Sequence, residues 1–285
     1  MAVVYESVQT ANSGTTSVTI TKPVSLAVGD LMVAHIAASN QDGDVLDDFT
    51  LSGWTSIATA FVADAFKSHR GSAFYKIAVQ ADVDATDFTF TGDADCESMT
   101  GAIYRFSGAA AVSGAADSDD AGGTTFTNTL TPTFPDSMML FLISGASNGG
   151  INFDSYAITN NNPTWTERYD IDNTAAAGDG DTSMAGATAS RPETSATGDS
   201  TCSGNQTVAS AIIVAIYPIV SVTVSPAVIT ALFAVQDPTV SGGAVVTPSV
   251  ISMAASVQDP IVTVEAALWE KGTKNSTAWT YLDKP

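Results

Sequence analysis

The sequence predicts an all-β fold: tandem antiparallel β-sandwiches of jelly-roll-like kind, followed by a short repeated β extension. Three observations predict it. Apolar and hydroxyl residues alternate with period two in segment after segment, as in half-buried antiparallel strands. Pairs of turn residues separate these segments at short intervals. Segments of the first half also recur, in the same order, in the second half.

The first half supplies the clearest alternation. Ser17-Val18-Thr19-Ile20-Thr21 and Asp87-Phe88-Thr89-Phe90-Thr91 each point one apolar row inward. Gly29-Asp30, Asp42-Gly43, Ser52-Gly53 and Gly92-Asp93 mark turns between strands, and Gly149-Gly150 marks one further on. No window carries a sustained helical period, because Gly, Ser and Asp interrupt the Ala-rich stretches. Leu31–Asn40 resembles Met138–Asn148, Gly53-Trp54-Thr55 resembles Pro163-Thr164-Trp165-Thr166, and Ala102-Ile103-Tyr104 resembles Ala215-Ile216-Tyr217. The expected organisation is one sandwich over 1–108, a second over 109–219 and a distinct segment over 220–285. The competing reading is one large sandwich whose sheets share patterns. The stretch Asp172 to Ser203, rich in Ala, Gly, Thr, Ser and Asp, reads either as a long surface loop or as weak strands with small side chains. The apolar run Val208 to Val224 is broken by Pro218 and diluted by Ser221 and Thr223. It reads as two successive buried strands, because a membrane-spanning helix needs ~20 unbroken apolar residues.

A sharper repeat lies in 220–285. Val224-Ser225-Pro226 recurs as Val246-Thr247-Pro248, and Val235-Gln236-Asp237-Pro238 as Val257-Gln258-Asp259-Pro260. Ile229, Ala231, Phe233 and Val235 share one face of the first unit, and Val228, Thr230, Leu232 and Ala234 share the other. Two units of this kind are too few to bury both faces alone. Burial against the preceding sandwich or against copies of the chain is expected, with a trimer favoured. The chain ends with Trp269 and Trp279 beside Lys271, Lys274 and Lys284. This end reads either as a docking peptide, with Trp269, Lys271, Lys274, Trp279 and Phe233 as its partner-binding residues, or as a strand packed on its own domain.

Charge excludes several functions. The 285 residues carry 30 Asp+Glu against 10 Lys+Arg, a net charge of −20. Nucleic-acid binding needs cations to replace counterions on phosphates, and insertion into an anionic membrane is equally disfavoured. With 45% hydrophobic and only 14% charged residues, the chain is one that folds. The N-terminal Met-Ala-Val-Val-Tyr-Glu lacks a basic segment and an apolar core, so no signal peptide is expected and assembly in a host cytoplasm follows.

Catalytic chemistry is sparse. The only histidines are His35, inside an apolar strand and expected in the core, and His69, in Lys67-Ser68-His69-Arg70 and expected in an exposed basic turn. Gly198-Asp199-Ser200 lacks the glycines a serine-protease signature needs. There is no nucleophile elbow, phosphate loop or dinucleotide fingerprint. Six of the acids are Glu and 24 are Asp, a ratio suited to turns. Cys96 and Cys202 stand apart, outside any C-x-x-C pair, and read as buried free thiols. No cofactor is expected. Clustered Asp at 42/44, 93/95, Asp117/Asp119/Asp120 and Asp179/Asp181 could offer oxygens to Ca²⁺, although none has an EF-hand spacing. Plain solvated turns are the favoured reading of each cluster.

Ile20-Thr21-Lys22-Pro23, Gly29-Asp30-Leu31-Met32-Val33-Ala34, Gly53-Trp54, Phe74-Tyr75-Lys76-Ile77-Ala78, Phe88-Thr89-Phe90-Thr91 and Gly101–Gly108 occur in that order. This series resembles a β-rich module of structural proteins of tailed bacteriophages and prophages. The Pro226 and Pro248 repeats and the Trp/Lys-rich end resemble the C-terminal extensions of such proteins. The second half departs from the pattern, lacking the Tyr-Lys and Tyr-Arg elements. The resemblance implies a non-enzymatic virion component that contacts other virion proteins and its own copies. A tail or fibre-like appendage used in host adsorption is the first expectation, and a capsid decoration or head-fibre protein the second. A carbohydrate-binding adhesin, with Trp54, Trp165 or Tyr75 as platform for a host surface glycan, is the third. A carboxylate-based hydrolase ranks last.

Overall fold

The alternating segments become strands. A computed structural model describes residues 2–49, 52–63, 67–119, 124–147, 151–173, 181–204 and 208–219, all within one compact unit spanning 1–220. The first half gives β1 (Val4–Ser13), β2 (Ser17–Thr21), β3 (Leu31–Asn40), β4 (Thr55–Ala63), β5 (Ser68–Ile77), a short helix α1 (Gln80–Asp84), β6 (Asp87–Thr91) and β7 (Ser98–Ser107). The second half gives β8 (Ala109–Asp119), β9 (Thr125–Phe126), β10 (Ser137–Ser147), β11 (Asp154–Ile158), β12 (Thr166–Asn173), β13 (Asp181–Arg191), β14 (Ser200–Ser203) and β15 (Val208–Pro218).

The two halves share one plan. The first large sheet has the order β1-β7-β3-β5-β4, and the second has β8-β15-β10-β13-β12. Strand for strand these are the same sheet. The small sheets correspond too: β2-β6 in the first half, and β9-β14 extended by β11 in the second. Each half places its first, last, third and last-but-two strands together, and its second and last-but-one strands in the other sheet. That is jelly-roll order. Gly108, with φ +69°, turns β7 into β8.

The large sheets of the two halves pack on each other, so the described residues form four layers with three cores. Leu31, Val33, Tyr104 and Phe106 meet Leu140, Leu142, Ile212 and Val214 in the central core. Met32, Ala34, Ile36 and Ile103 face β2 and β6 with Val18, Ile20 and Phe90. Met139, Phe141 and Ile143 face the other small sheet with Phe126, Phe153 and Ile158. Successive side chains of a strand point to opposite faces, so a strand covered on both sides must be apolar throughout. This explains the continuous burial of β3 and of β15 up to Tyr217.

Letters and places diverge at one repeat. Tyr104 enters the central core, whereas Tyr217 faces the outer one. Leu31 pairs with Phe106 and Met138 with Ile216, so Phe106 and Ile216 are the equivalent positions. The low-complexity stretch resolves in favour of strands: β13 and β14 lie within it, and β13 is an inner strand buried along almost all its length. Small residues are required there, because Tyr104 from the opposing sheet lies over Gly186.

Each large sheet has two edge strands, and each edge strand carries one β-bulge. They fall between Tyr5 and Ser7, between Ser56 and Ala58, between Glu167 and Tyr169, and in β8 opposite Tyr217/Pro218. Bulges interrupt the pairing template that an edge presents to other chains. The helix α1 was not expected from sequence. The Asp82 carboxylate accepts the Val79 N–H at 3.0 Å and pairs with Lys76 Nζ at 2.5 Å, which holds this single turn. Among the described residues no helix is long and apolar enough to cross a membrane. The predicted segment 220–285, with its proline-marked repeats, lies outside the described residues.

Candidate functional site

One end of the central core is polar. His35 Nδ1 hydrogen-bonds with the Tyr169 hydroxyl at 2.8 Å. His69 Nε2 stands 2.9 Å from Ser144 Oγ and 3.2 Å from Ser210 Oγ, and the two serines are 3.0 Å apart. Ser39 and Thr182 hydroxyls meet at 2.5 Å, and Asn173 Nδ2 donates to the Ser13 carbonyl at 2.6 Å. Every one of these contacts crosses from one half to the other, except that between the serines. The seam therefore fixes how the two large sheets register on each other.

His69 is thus not in an exposed turn. It lies on β5 with no exposed surface, because alternation along Ser68–Ile77 turns it toward the opposing sheet. His35 is fully buried as well, as expected. Burial drives both imidazoles down to about 3, with the neighbouring His69 adding to the effect at His35. Both are neutral at ordinary pH. The His69–Ser144–Ser210 cluster has the contacts of a nucleophile and base. No residue of it has exposed surface, so no acyl substrate reaches it. Sequence could not reveal this cluster, since Ser144 and Ser210 lie 75 and 141 residues from His69.

Other expected residues are placed as follows. Cys96 and Cys202 are buried free thiols in different cores. Among the described residues no three His, Cys, Asp or Glu side chains gather as a metal group. Asp117 instead accepts the Thr127 N–H at 2.6 Å and the Thr127 hydroxyl at 2.9 Å. Asp119 ends β8 and Asp181 begins β13. Asp120 and Asp179 lie outside the described residues, as do Phe233, Trp269, Lys271, Lys274 and Trp279. Trp54 and Trp165 occupy equivalent places just before β4 and β12. Trp54 packs its ring edge-to-face on Phe88 at 5.9 Å, and Trp165 packs on Phe141 at 5.7 Å. Tyr75 packs partly buried against the central core.

The internal symmetry is broken at the bulges of β4 and β12, and a cleft lies beside the second. The bulge of β4 places Ile57 and the equivalent bulge of β12 places Arg168. Ile57 seals its end of the central core against β8, where a Cβ on Gly114 would lie only 2.5 Å from Ile57 Cγ2. Arg168 does something different. Its guanidinium lies 4.0 Å over the Tyr5 ring of the first half, and its Nε donates to Thr188 Oγ1 at 2.7 Å. Beside it opens a cleft of about 640 Å³. Asn161, Asn162, Thr164, Thr166 and Thr188 stand on its wall, with Glu193 also lining it. Asn161 holds a left-handed backbone, φ +49°, which Asn tolerates and which turns the 160–164 loop over the cleft. A sequence signal for this site exists: aligning Trp54 with Trp165 sets Arg168 against Ile57.

No family model, curated protein or solved structure matches the chain.

Proposed function

We propose that this chain is a non-enzymatic structural protein of a tailed-bacteriophage virion, a surface-exposed tail or fibre-like appendage component. The observation that carries the reading is the duplicated jelly-roll unit locked through its large sheets, with both histidines of the chain engaged inside the lock. Such a body is built for rigidity. The resemblance of the first-half motifs to phage structural modules supplies the setting. The 220–285 repeats supply apolar faces for assembly with copies of the chain or with neighbouring virion proteins. A capsid decoration or head-fibre role uses the same features. The cleft beside Arg168 favours a further reading, in which the appendage contacts a host surface glycan.

Two measurements test the proposal. Cryo-electron microscopy of purified particles is expected to show density for the four-layer body at the virion surface. Absence of the protein from purified virions overturns the assignment. In solution, light scattering is expected to give an oligomer for the full chain and a monomer for residues 1–220. A monomeric full chain refutes the assembly role of 220–285.

A further inference from the structure

We infer that the cleft beside Arg168 is a binding site for a carboxylate-bearing saccharide. The inference deepens the glycan reading above, but its chemistry is that of the cleft and stands apart from where the protein resides.

Arg168 is the anchor. A guanidinium presents two edges to a carboxylate, a side-on edge that includes Nε and an end-on edge of the two Nη groups. Nε is engaged by Thr188 Oγ1, and the plane is held over Tyr5. That leaves the end-on edge, fixed in direction by two contacts from different halves of the molecule. Among the described residues the ion pairs formed by other arginines are Arg70–Asp48, Arg105–Asp30 and Arg191–Glu193, and no carboxylate stands in such a pair with Arg168. A preoriented fork without a carboxylate partner suits a ligand that brings one.

The rest of the lining specifies a saccharide. Asn162 Oδ1 already accepts from the Ile158 N–H and Trp165 Nε1, Asn161 Nδ2 donates to Ser195 Oγ, and Thr188 Oγ1 accepts from Arg168. The Asn162 amide NH₂, the Asn161 carbonyl oxygen and the Thr164 and Thr166 hydroxyls on the cleft wall supply donors and acceptors to a ligand. Sugar hydroxyls need both functions at close intervals. Pro163, Pro192 and Met138 add apolar surface for the C–H faces of a ring. The volume, about 640 Å³, falls in the range of small-ligand sites, roughly 300–1,000 Å³. Glu193 also lines the cleft, but its carboxylate lies 4.0 Å from Arg191 Nε, which offsets its charge. At the symmetry-related end Ile57 stands where Arg168 stands here, so that end lacks the guanidinium anchor. Among the described residues the arginine-anchored cleft occurs once, and oligomerisation would multiply it.

The test uses the full chain and four probes: sialyllactose and trigalacturonate as acidic saccharides, lactose and maltotriose as neutral counterparts. Binding is followed by titration calorimetry and by chemical-shift changes of the Thr164, Thr166 and Thr188 amides. At least one acidic probe is expected to bind at least ~10-fold more tightly than its neutral counterpart, the worth of one hydrogen bond to a charged group. Raising the salt concentration is expected to weaken it. Arg168→Gln is expected to abolish the difference between acidic and neutral probes. Because Arg168 also packs on Tyr5, Ser190→Tyr provides a second variant, filling the cleft while leaving the Arg168 contacts in place. It is expected to remove binding without changing the melting temperature. Failure of both acidic probes to bind overturns the inference, as does equal binding of neutral and acidic probes. Unchanged binding by a folded Ser190→Tyr protein does the same. Each of these results leaves the virion assignment untouched, and absence from virions leaves the cleft chemistry untouched.

Discussion

Gly186→Ala tests the packing of the two halves most directly. Gly186 is on β13 in the second half, and the side chain over it is Tyr104 of β7 in the first. An added Cβ would lie 1.9 Å from Tyr104 Oη, 2.9 Å from Tyr169 Cε1 and 3.2 Å from Tyr104 Cζ. Tyr104 has no exposed surface and stacks on Phe106 at 5.9 Å, so it has no free direction in which to retreat. Overpacking a tight core costs typically 1–3 kcal/mol, and this overlap belongs at about 3 kcal/mol. For a chain of this size that corresponds to a melting-temperature drop of roughly 6–12 °C. The assay is urea and thermal unfolding of the full chain, followed by circular dichroism. The companion variant is Tyr104→Phe. It removes the atom at 1.9 Å and leaves the approaches of 2.9 Å to Tyr169 Cε1 and 3.2 Å to Tyr104 Cζ, so the relief is partial. The double variant Gly186→Ala/Tyr104→Phe is therefore expected to be more stable than Gly186→Ala alone, a coupling of the kind contacting residues show. A Gly186→Ala protein within about 0.5 kcal/mol of the parent, or a double variant with no recovery, refutes the face-to-face packing of Tyr104 on β13.

The remaining predictions concern titration and thiols. His35 and His69 titrate at about 3 in the folded chain, against an ordinary value near 6.5. Between those limits the unfolded chain binds more protons, so stability is full above pH 6.5 and falls on acidification by about 1.4 kcal/mol per pH unit for each histidine. Asp170 opposes this: burial, with help from Asp172, Glu167 and Asp154, outweighs the Phe153 N–H and raises its carboxyl to about 6, so it favours the folded state as pH falls from 6 toward 3.8. Urea midpoints at pH 7 and pH 4.5 are expected to differ markedly, and a His35→Gln/His69→Gln protein to show a shallower dependence; equal slopes refute the buried neutral histidines. Burial, reinforced by Asp93 at Cys96 and by Asp154 at Cys202, pushes both thiols up to about 12. Ellman's reagent at pH 8 is expected to label neither cysteine in native protein and both after unfolding. Rapid native labelling of either one counts against its place in the core.

Much of the fold was legible as pattern. Val18 and Ile20, alternating with Ser17, Thr19 and Thr21, gave β2, and Phe88 and Phe90 gave β6. Trp54 and Trp165 correctly marked equivalent places before β4 and β12. The short helix α1 was not legible, because it rests on one carboxylate reaching back to Val79 and across to Lys76. His69 was misread because Lys67-Ser68-His69-Arg70 is polar in every position. Its burial depends on a second polar surface, Ser144 and Ser210, arriving to meet it. The cleft was half legible: the repeat sets Arg168 against Ile57, yet nothing in the letters says that Tyr5 lies beneath the guanidinium.

The sequence by itself determined the strands, their turns and the duplication, because alternation and turn chemistry act between residues close along the chain. Its net charge of −20, carried mostly by Asp in turns, belongs to that local level. The tertiary structure alone decided which face of each large sheet met the other half. A strand apolar on both sides does not state its partner, since hydrophobic burial is non-directional. Direction came from the few groups that are directional: His35 with Tyr169, His69 with two serines, and the space over Gly186 that admits Tyr104. Those contacts join residues more than 70 positions apart, and only the folded chain brings them together.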